Sequence, residues 1–97
     1  EEIKIPTSVS LIEKSAFNGC TQLEKIVIPE LIESIQPSTF KKCTNLKEII
    51  ITENSELEII GKGAFMNSGI AKINLPTKLQ KIESDAFKDC KNLSSLS

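Results

Sequence analysis

Ala16-Phe17-Asn18-Gly19-Cys20-Thr21-Gln22-Leu23-Glu24-Lys25-Ile26-Val27-Ile28-Pro29 is one turn of a pattern that recurs along the chain, and the recurrence decides the fold. Phe17 is followed by Phe40, Phe65 and Phe87 at intervals of 23, 25 and 22 residues. Three residues after each stand Cys20, Cys43, Ser68 and Cys90. Six after, or five in the third case, stand Leu23, Leu46, Ile70 and Leu93. Three and five beyond those come Ile26 and Ile28, Ile49 and Ile51, Ile73 and Leu75, then Leu96, while Ile3 and Ile5 open the same two columns. Upstream of each Phe, Val9, Ile32, Leu57 and Leu79 lie eight residues back, and Ile12, Ile35, Ile60 and Ile82 five back. A fixed period in the twenties is the mark of a solenoid.

Two spacings inside the unit set its local structure. Ile-x-Ile is period two, so it predicts a short strand with alternate residues inward. Pro6, Pro29 and Pro76 close three of these strands, since proline cannot donate to a ladder. The run from Ile12 to Cys20 predicts one or two turns of helix, with Pro37 of the second copy at a first helical position and Gly19 as a left-handed cap. No single coil can bury both its Ile columns and its Phe, so stability has to come from stacking neighbours, strands lying about 4.8 Å apart. The third unit departs from the pattern. Two extra residues within 53–58 predict a bulging surface loop, and the residue missing before Ile70 predicts a tight turn at Ser68-Gly69.

Composition narrows the chemistry. All twelve basic residues are Lys, and there is no His, Trp, Tyr or Arg, so the commonest general base and metal ligand and the bidentate phosphate clamp are missing together. An enzyme, a cofactor site and a metal site are therefore not expected. A net charge of −1 marks no nucleic-acid footprint. No apolar run approaches the roughly 18 residues of a membrane span, so no membrane insertion is expected. Gly61-Lys62-Gly63 is not a phosphate loop, and Glu53, Glu56 and Glu58 read as solvated loop carboxylates. Asn92-Leu93-Ser94 is a glycosylation sequon of the length that arises by chance.

The repeated columns resemble the BspA-type leucine-rich repeat, in the signature A-F-x-x-C-x-x-L-x-x-I-x-I-P across essentially the whole chain. Departures are Thr39 for Ala, Ser68 for Cys and Thr52 for Pro. The resemblance implies a right-handed α/β solenoid with one parallel sheet of about four to five short strands and short helical turns opposite. It also implies a recognition or adhesion module whose partner is another protein, such as a host or cell-surface protein, and a cell-surface or secreted location. A cytoplasmic location stands as the alternative. An architectural spacer without its own ligand, or an intracellular scaffold, is the competing role.

Cys20 and Cys43 fall in one column of adjacent coils, close enough for a disulfide, against the alternative of buried free thiols. Cys90, two coils from Cys43, is out of reach of either a bridge or a metal site. On the outward face of the sheet, Glu2, Lys25, Glu48, Lys72 and Ser95 form one file, predicting three cross-strand contacts of opposite charge. Lys4, Val27, Ile50, Asn74 and Ser97 form the next, with Val27 and Ile50 as a small apolar spot. Lys4, Lys25, Val27, Glu48, Ile50, Lys72 and Asn74 are the candidate partner-binding residues, against a merely solvated sheet. The sequence reads as one domain over 1–97 that starts and stops inside strands. That predicts a segment of a longer array or, alternatively, self-association through the open ends.

Overall fold

Ile-x-Ile does become strand. The computed structural model describes residues 2–96. Eight short strands run in the order β1 (Glu2–Ile3), β2 (Lys25–Ile28), β3 (Ser34–Ile35), β4 (Glu48–Ile51), β5 (Ile59–Ile60), β6 (Lys72–Ile73), β7 (Lys81–Ile82) and β8 (Ser95–Leu96). Five of them form a parallel sheet in the order β1-β2-β4-β6-β8. Its register pairs Ile3 with Ile26, Ile26 with Ile49 and Ile73 with Leu96, so the inward Ile columns stack as the spacing requires.

Two expectations are corrected. The sheet is not alone: β3, β5 and β7 form a second parallel sheet, pairing Ile35 with Ile60 and Ile60 with Ile82. These two-residue strands contain the Ile five before Phe40, Phe65 and Phe87, at the start of the run that the sequence reads as helical turns. Nor do the segments opposite the first sheet form helices. Among the described residues there is none, and 14–19, 37–42, 62–67 and 84–89 are successive turns.

The cause is a left-handed backbone at two columns of every repeat. Two residues before each Phe, Ser15, Ser38, Gly63 and Asp85 have φ of 61°, 61°, 64° and 62°. Two after, Gly19, Lys42, Asn67 and Asp89 have φ of 77°, 63°, 61° and 59°. A right-handed helix needs φ near −63°, so it cannot pass through either. The chain closes tight turns instead: Ala16 N–H donates to the Glu13 carbonyl, Asn18 to Ser15 and Cys20 to Phe17. Gly19 is left-handed as expected, but as one member of a column and not as a helix cap. Ser, Asn, Asp and Gly dominate these positions, and Asn, Asp and Gly are the residues that tolerate this conformation best.

The remaining amides join one repeat to the next. Ser15, Phe17 and Gly19 donate to the Pro37, Thr39 and Lys41 carbonyls; Ser38, Phe40 and Lys42 donate to Lys62, Ala64 and Met66; Gly63, Phe65 and Asn67 donate to Ser84, Ala86 and Lys88. Between the two sheets and the turns lie the stacked apolar columns. Phe40, Phe65, Ile26, Ile73, Leu46, Ile70 and Ile60 are all at most 1% exposed. The four rings form one pile, with centroids 5.5, 5.3 and 5.4 Å apart and planes within 7° of parallel. Planes that parallel at such a centroid distance are offset, the favourable arrangement for aromatic quadrupoles. Thr39, in the Ala column, is fully buried, and its hydroxyl donates to the Gln36 carbonyl at 2.7 Å.

The third repeat absorbs its irregularities differently from expectation. Glu53 and Asn54 are exposed at the tip of the insertion, but Ser55 and Leu57 are buried, with Ser55 Oγ accepting the Leu57 N–H at 3.1 Å. The insertion is thus largely tucked in. The deletion does make a tight turn: a Cβ on Gly69 would collide with the Thr44 carbonyl oxygen.

Candidate functional site

Parallel register carries the outward residues of the first sheet into files, as the alternation of the strands demands. Lys25 pairs with Glu48 and Glu48 with Lys72, so the charges alternate in sign along the file. The expected pairs of Lys25 with Glu48 and of Glu48 with Lys72 do not close, however, and the Glu2 side chain lies outside the described ones. Lys78–Glu56 at 2.9 Å and Lys81–Glu83 at 3.5 Å are ion pairs, and neither belongs to this file. Long side chains on a solvated face gain little from pairing and lose rotamer freedom by it. Among the described residues, the charges of Glu48 and Lys72 are left for water or for a partner.

Val27 pairs with Ile50 in the neighbouring file, Val27 being 39% exposed and Ile50 half-buried. Lys4 and Asn74 are exposed but lie one residue beyond the ends of β1 and β6, outside the paired strands. Ser97 lies outside the described residues.

The face is not uniform. β2 and β4 pair over four residues, whereas β4 and β6 are in register at Glu48 and Lys72 alone. Lys47 N–H donates to the Glu24 carbonyl, and Ser94 N–H to that of Ala71, but among the described residues no such bond joins Ala71 to Lys47. The residue missing at Ser68-Gly69 shortens the approach to β6, and a cavity of about 330 Å³ opens beside it. Glu48, Ile50, Lys72 and Asn74 line that cavity, together with Lys47 and Ala71 among others. Four of the seven candidate residues are therefore brought to one place. Val27 faces a different depression, of about 430 Å³, with Leu31, Pro29 and Thr52. Leu31, 49% exposed, enlarges the apolar spot there. It is off the Ile-x-Ile pattern, so only its position after Pro29 could have pointed to it. A wider trough of about 540 Å³ lies on the turn side, over Ser68 and Gly69, and is lined mostly by hydroxyl, amide and charged side chains.

The cysteines are all free. Cys43 Sγ donates to the Phe17 carbonyl at 3.0 Å and Cys90 Sγ to the Phe65 carbonyl at 2.9 Å, each reaching back to the preceding repeat. Burial pushes the Cys43 thiol up to about 11, so it remains a proton donor at neutral pH. Among the described residues no three acidic, His or Cys side chains cluster as a metal site would require. Among the described residues no helix is long and apolar enough to cross a membrane.

Set against known proteins, the sequence matches the family model for the BspA type leucine-rich repeat region over residues 1–95, counted as six copies. The chain belongs to that family. Two solved structures show the same fold as this BspA-type chain. One is a leucine-rich repeat protein from Bacteroides ovatus, 35% identical with a TM-score of 0.90, matching 97% of this chain and 24% of its own. The other is a leucine-rich cell surface protein from Faecalibacterium prausnitzii, 28% identical with a TM-score of 0.79, matching 84% of this chain and 21% of its own. The BspA-type chain thus spans about a quarter or less of each of those proteins. No curated protein matches the sequence.

Proposed function

We propose that this chain is a protein-recognition module, wound as a right-handed solenoid, that engages its partner through the five-stranded sheet at the cleft between β4 and β6. The right hand is the one taken by nearly all parallel crossovers. The observation that carries the reading is the meeting of Glu48, Ile50, Lys72 and Asn74 around one cavity, with Glu48 and Lys72 closing no ion pair with each other. Such a site recognises by shape and by charge of both signs, without a chemical step. The cell-surface description of the Faecalibacterium relative supports adhesion to another protein at a cell surface.

An architectural spacer is the second reading, favoured by the nine amide–carbonyl bonds that tie one repeat's turn to the next. The test is a Lys25→Glu/Lys72→Glu double variant, compared with the wild type on an array of cell-surface and extracellular-matrix proteins. A recognition surface there loses about tenfold or more in affinity for whatever the wild type binds, about 1.4 kcal/mol, with an unchanged melting temperature. Binding that survives both reversals places the contact elsewhere. A wild type that binds nothing leaves the spacer.

A further inference from the structure

Asn45 and Asn92 occupy one column, five residues after Phe40 and Phe87, yet they are used differently. Asn45 Nδ2 reaches back to the preceding repeat and donates to the Thr21 carbonyl at 2.8 Å. The carbonyl at the matching place for Asn92 is that of Gly69, four residues after Phe65. Gly69 is drawn toward the second repeat instead: its N–H donates to the Cys43 carbonyl, and an added Cβ would strike the Thr44 carbonyl. Among the described residues the Asn92 side chain therefore finds no hydrogen-bond partner. The cause is the residue missing before Ile70, inside the chain and between repeats that flank it on both sides.

The same shortened turn underlies the trough of about 540 Å³ on the turn side. Lys42 and Thr44 line it from the second repeat, Asn67 from the third, and Asp89, Lys91 and Asn92 from the fourth. Lys42 and Asn67 each have a repeat on either side, and among the described residues neither side chain makes a hydrogen bond or an ion pair. No apolar side chain lines the trough among the described residues. It shares no residue with the β4–β6 cleft, which Ile50 and Ala71 do line.

We propose that this trough binds a saccharide that carries a carboxylate, a uronic acid unit of a glycan. A sugar ring presents hydroxyls that each donate and accept. The Asn67 and Asn92 amides and the Thr44 hydroxyl likewise offer both roles from one group. Lys42 and Lys91 outnumber Asp89, so the lining is positive on balance and suits the sugar carboxylate, while the Asp89 carboxylate accepts from hydroxyls. A protein partner would want an aromatic or aliphatic anchor, and a nucleic-acid strand would want rings on which to stack its bases. The trough supplies neither. The site stands apart from the protein contact at the cleft, and either can fail without the other.

Titrating the isotope-labelled 97-residue chain with tetragalacturonate, followed by amide resonances, tests this directly. The backbone amides of Asn67 and Gly69 and the side-chain amides of Asn67 and Asn92 should shift and saturate by millimolar ligand. Uncharged maltotetraose should bind about tenfold more weakly. Tetraglutamate, with the carboxylates but no hydroxyls, should leave these resonances in place. Asn92→Ala, at an exposed residue, should weaken tetragalacturonate binding about tenfold with an unchanged melting temperature. Asn45→Ala, which loses the bond to Thr21, should lower the melting temperature and leave binding alone. A chain whose trough resonances never move with tetragalacturonate overturns the proposal. So does equal binding of tetraglutamate, or a set of shifts confined to Ile50, Ala71 and Lys72 at the cleft.

Discussion

Two junctions in the same sheet differ. Between β2 and β4 four residues are in register; between β4 and β6 one is. On the turn side the corresponding junctions are alike, each with three amide–carbonyl bonds, and the rings keep a spacing of 5.3 to 5.5 Å throughout. The irregular third repeat therefore leaves the turns and rings undisturbed and shows itself in the sheet. Backbone bonds at left-handed residues and a close-packed ring pile have one good spacing each. Strands of two to four residues with solvent on one side can lose rungs at small cost. The part of the molecule that holds register is the turn side, and the part free to vary is the face where the cleft opens.

The largest effect should come from attacking the pile. Phe40→Ala removes a fully buried ring with a ring on each side, and should cost about 3–5 kcal/mol in urea unfolding. Phe87→Ala removes a half-buried ring with one ring neighbour and should cost about half as much or less. Equal losses would mean that ring stacking does not set the register.

How far this contrast could be read in the sequence depends on which spacing carried it. The inward Ile columns and the Phe pile follow from seven aligned columns, and the parallel register of Lys25, Glu48 and Lys72 follows with them. The turns read as short helices because the residues that set them, Ser15, Ser38, Gly63 and Asp85, are small or polar and carry no hydrophobic signal. The second sheet was missed for the same reason: Ser34-Ile35, Ile59-Ile60 and Lys81-Ile82 are too short to show a period of two. The seven candidate residues were chosen by alternation alone. Which of them meet at the β4–β6 cleft depends on a missing rung, and a deletion in sequence does not say which hydrogen bond it removes.

A smaller and sharper probe sits at that deletion. Gly69→Ala drives a methyl group into the Thr44 carbonyl and against the Leu46 carbonyl, 3.2 Å away, and should cost about 1–3 kcal/mol as a case of overpacking. Gly19→Ala meets nothing within 4 Å and pays only for its φ of +77°, about 1–2 kcal/mol. The two also differ in where they act. Gly69→Ala should shift amide resonances of Lys47, Ala71 and Lys72 around the cleft, while Gly19→Ala should leave them in place. A Gly69→Ala spectrum unchanged at those amides would separate the deletion from the cleft.

The smallest effect compares the regular repeat with the irregular one through a single column, Cys43 against Ser68. Burial raises the Cys43 thiol from 9.0 to about 11, against the lesser pull of backbone N–H groups at Cys20 and Gly19 that favour the thiolate. The neutral thiol is thus the form the fold favours. Its contribution is fully present below pH 9, where the unfolded chain is protonated as well, and is lost as pH rises from 9 to 11. Between pH 8 and 10 the loss amounts to about 1 kcal/mol. Cys43→Ser puts into the second repeat the residue the third already uses, and a hydroxyl has nothing to titrate in this range. The stability difference between wild type and Cys43→Ser should therefore change by about 1 kcal/mol in favour of the variant from pH 8 to 10, with lysine titration common to both chains. A difference that stays flat would mean that the Cys43 thiol is hydrated, and that the hydrogen bond to Phe17 is not what ties the first two repeats together at this column.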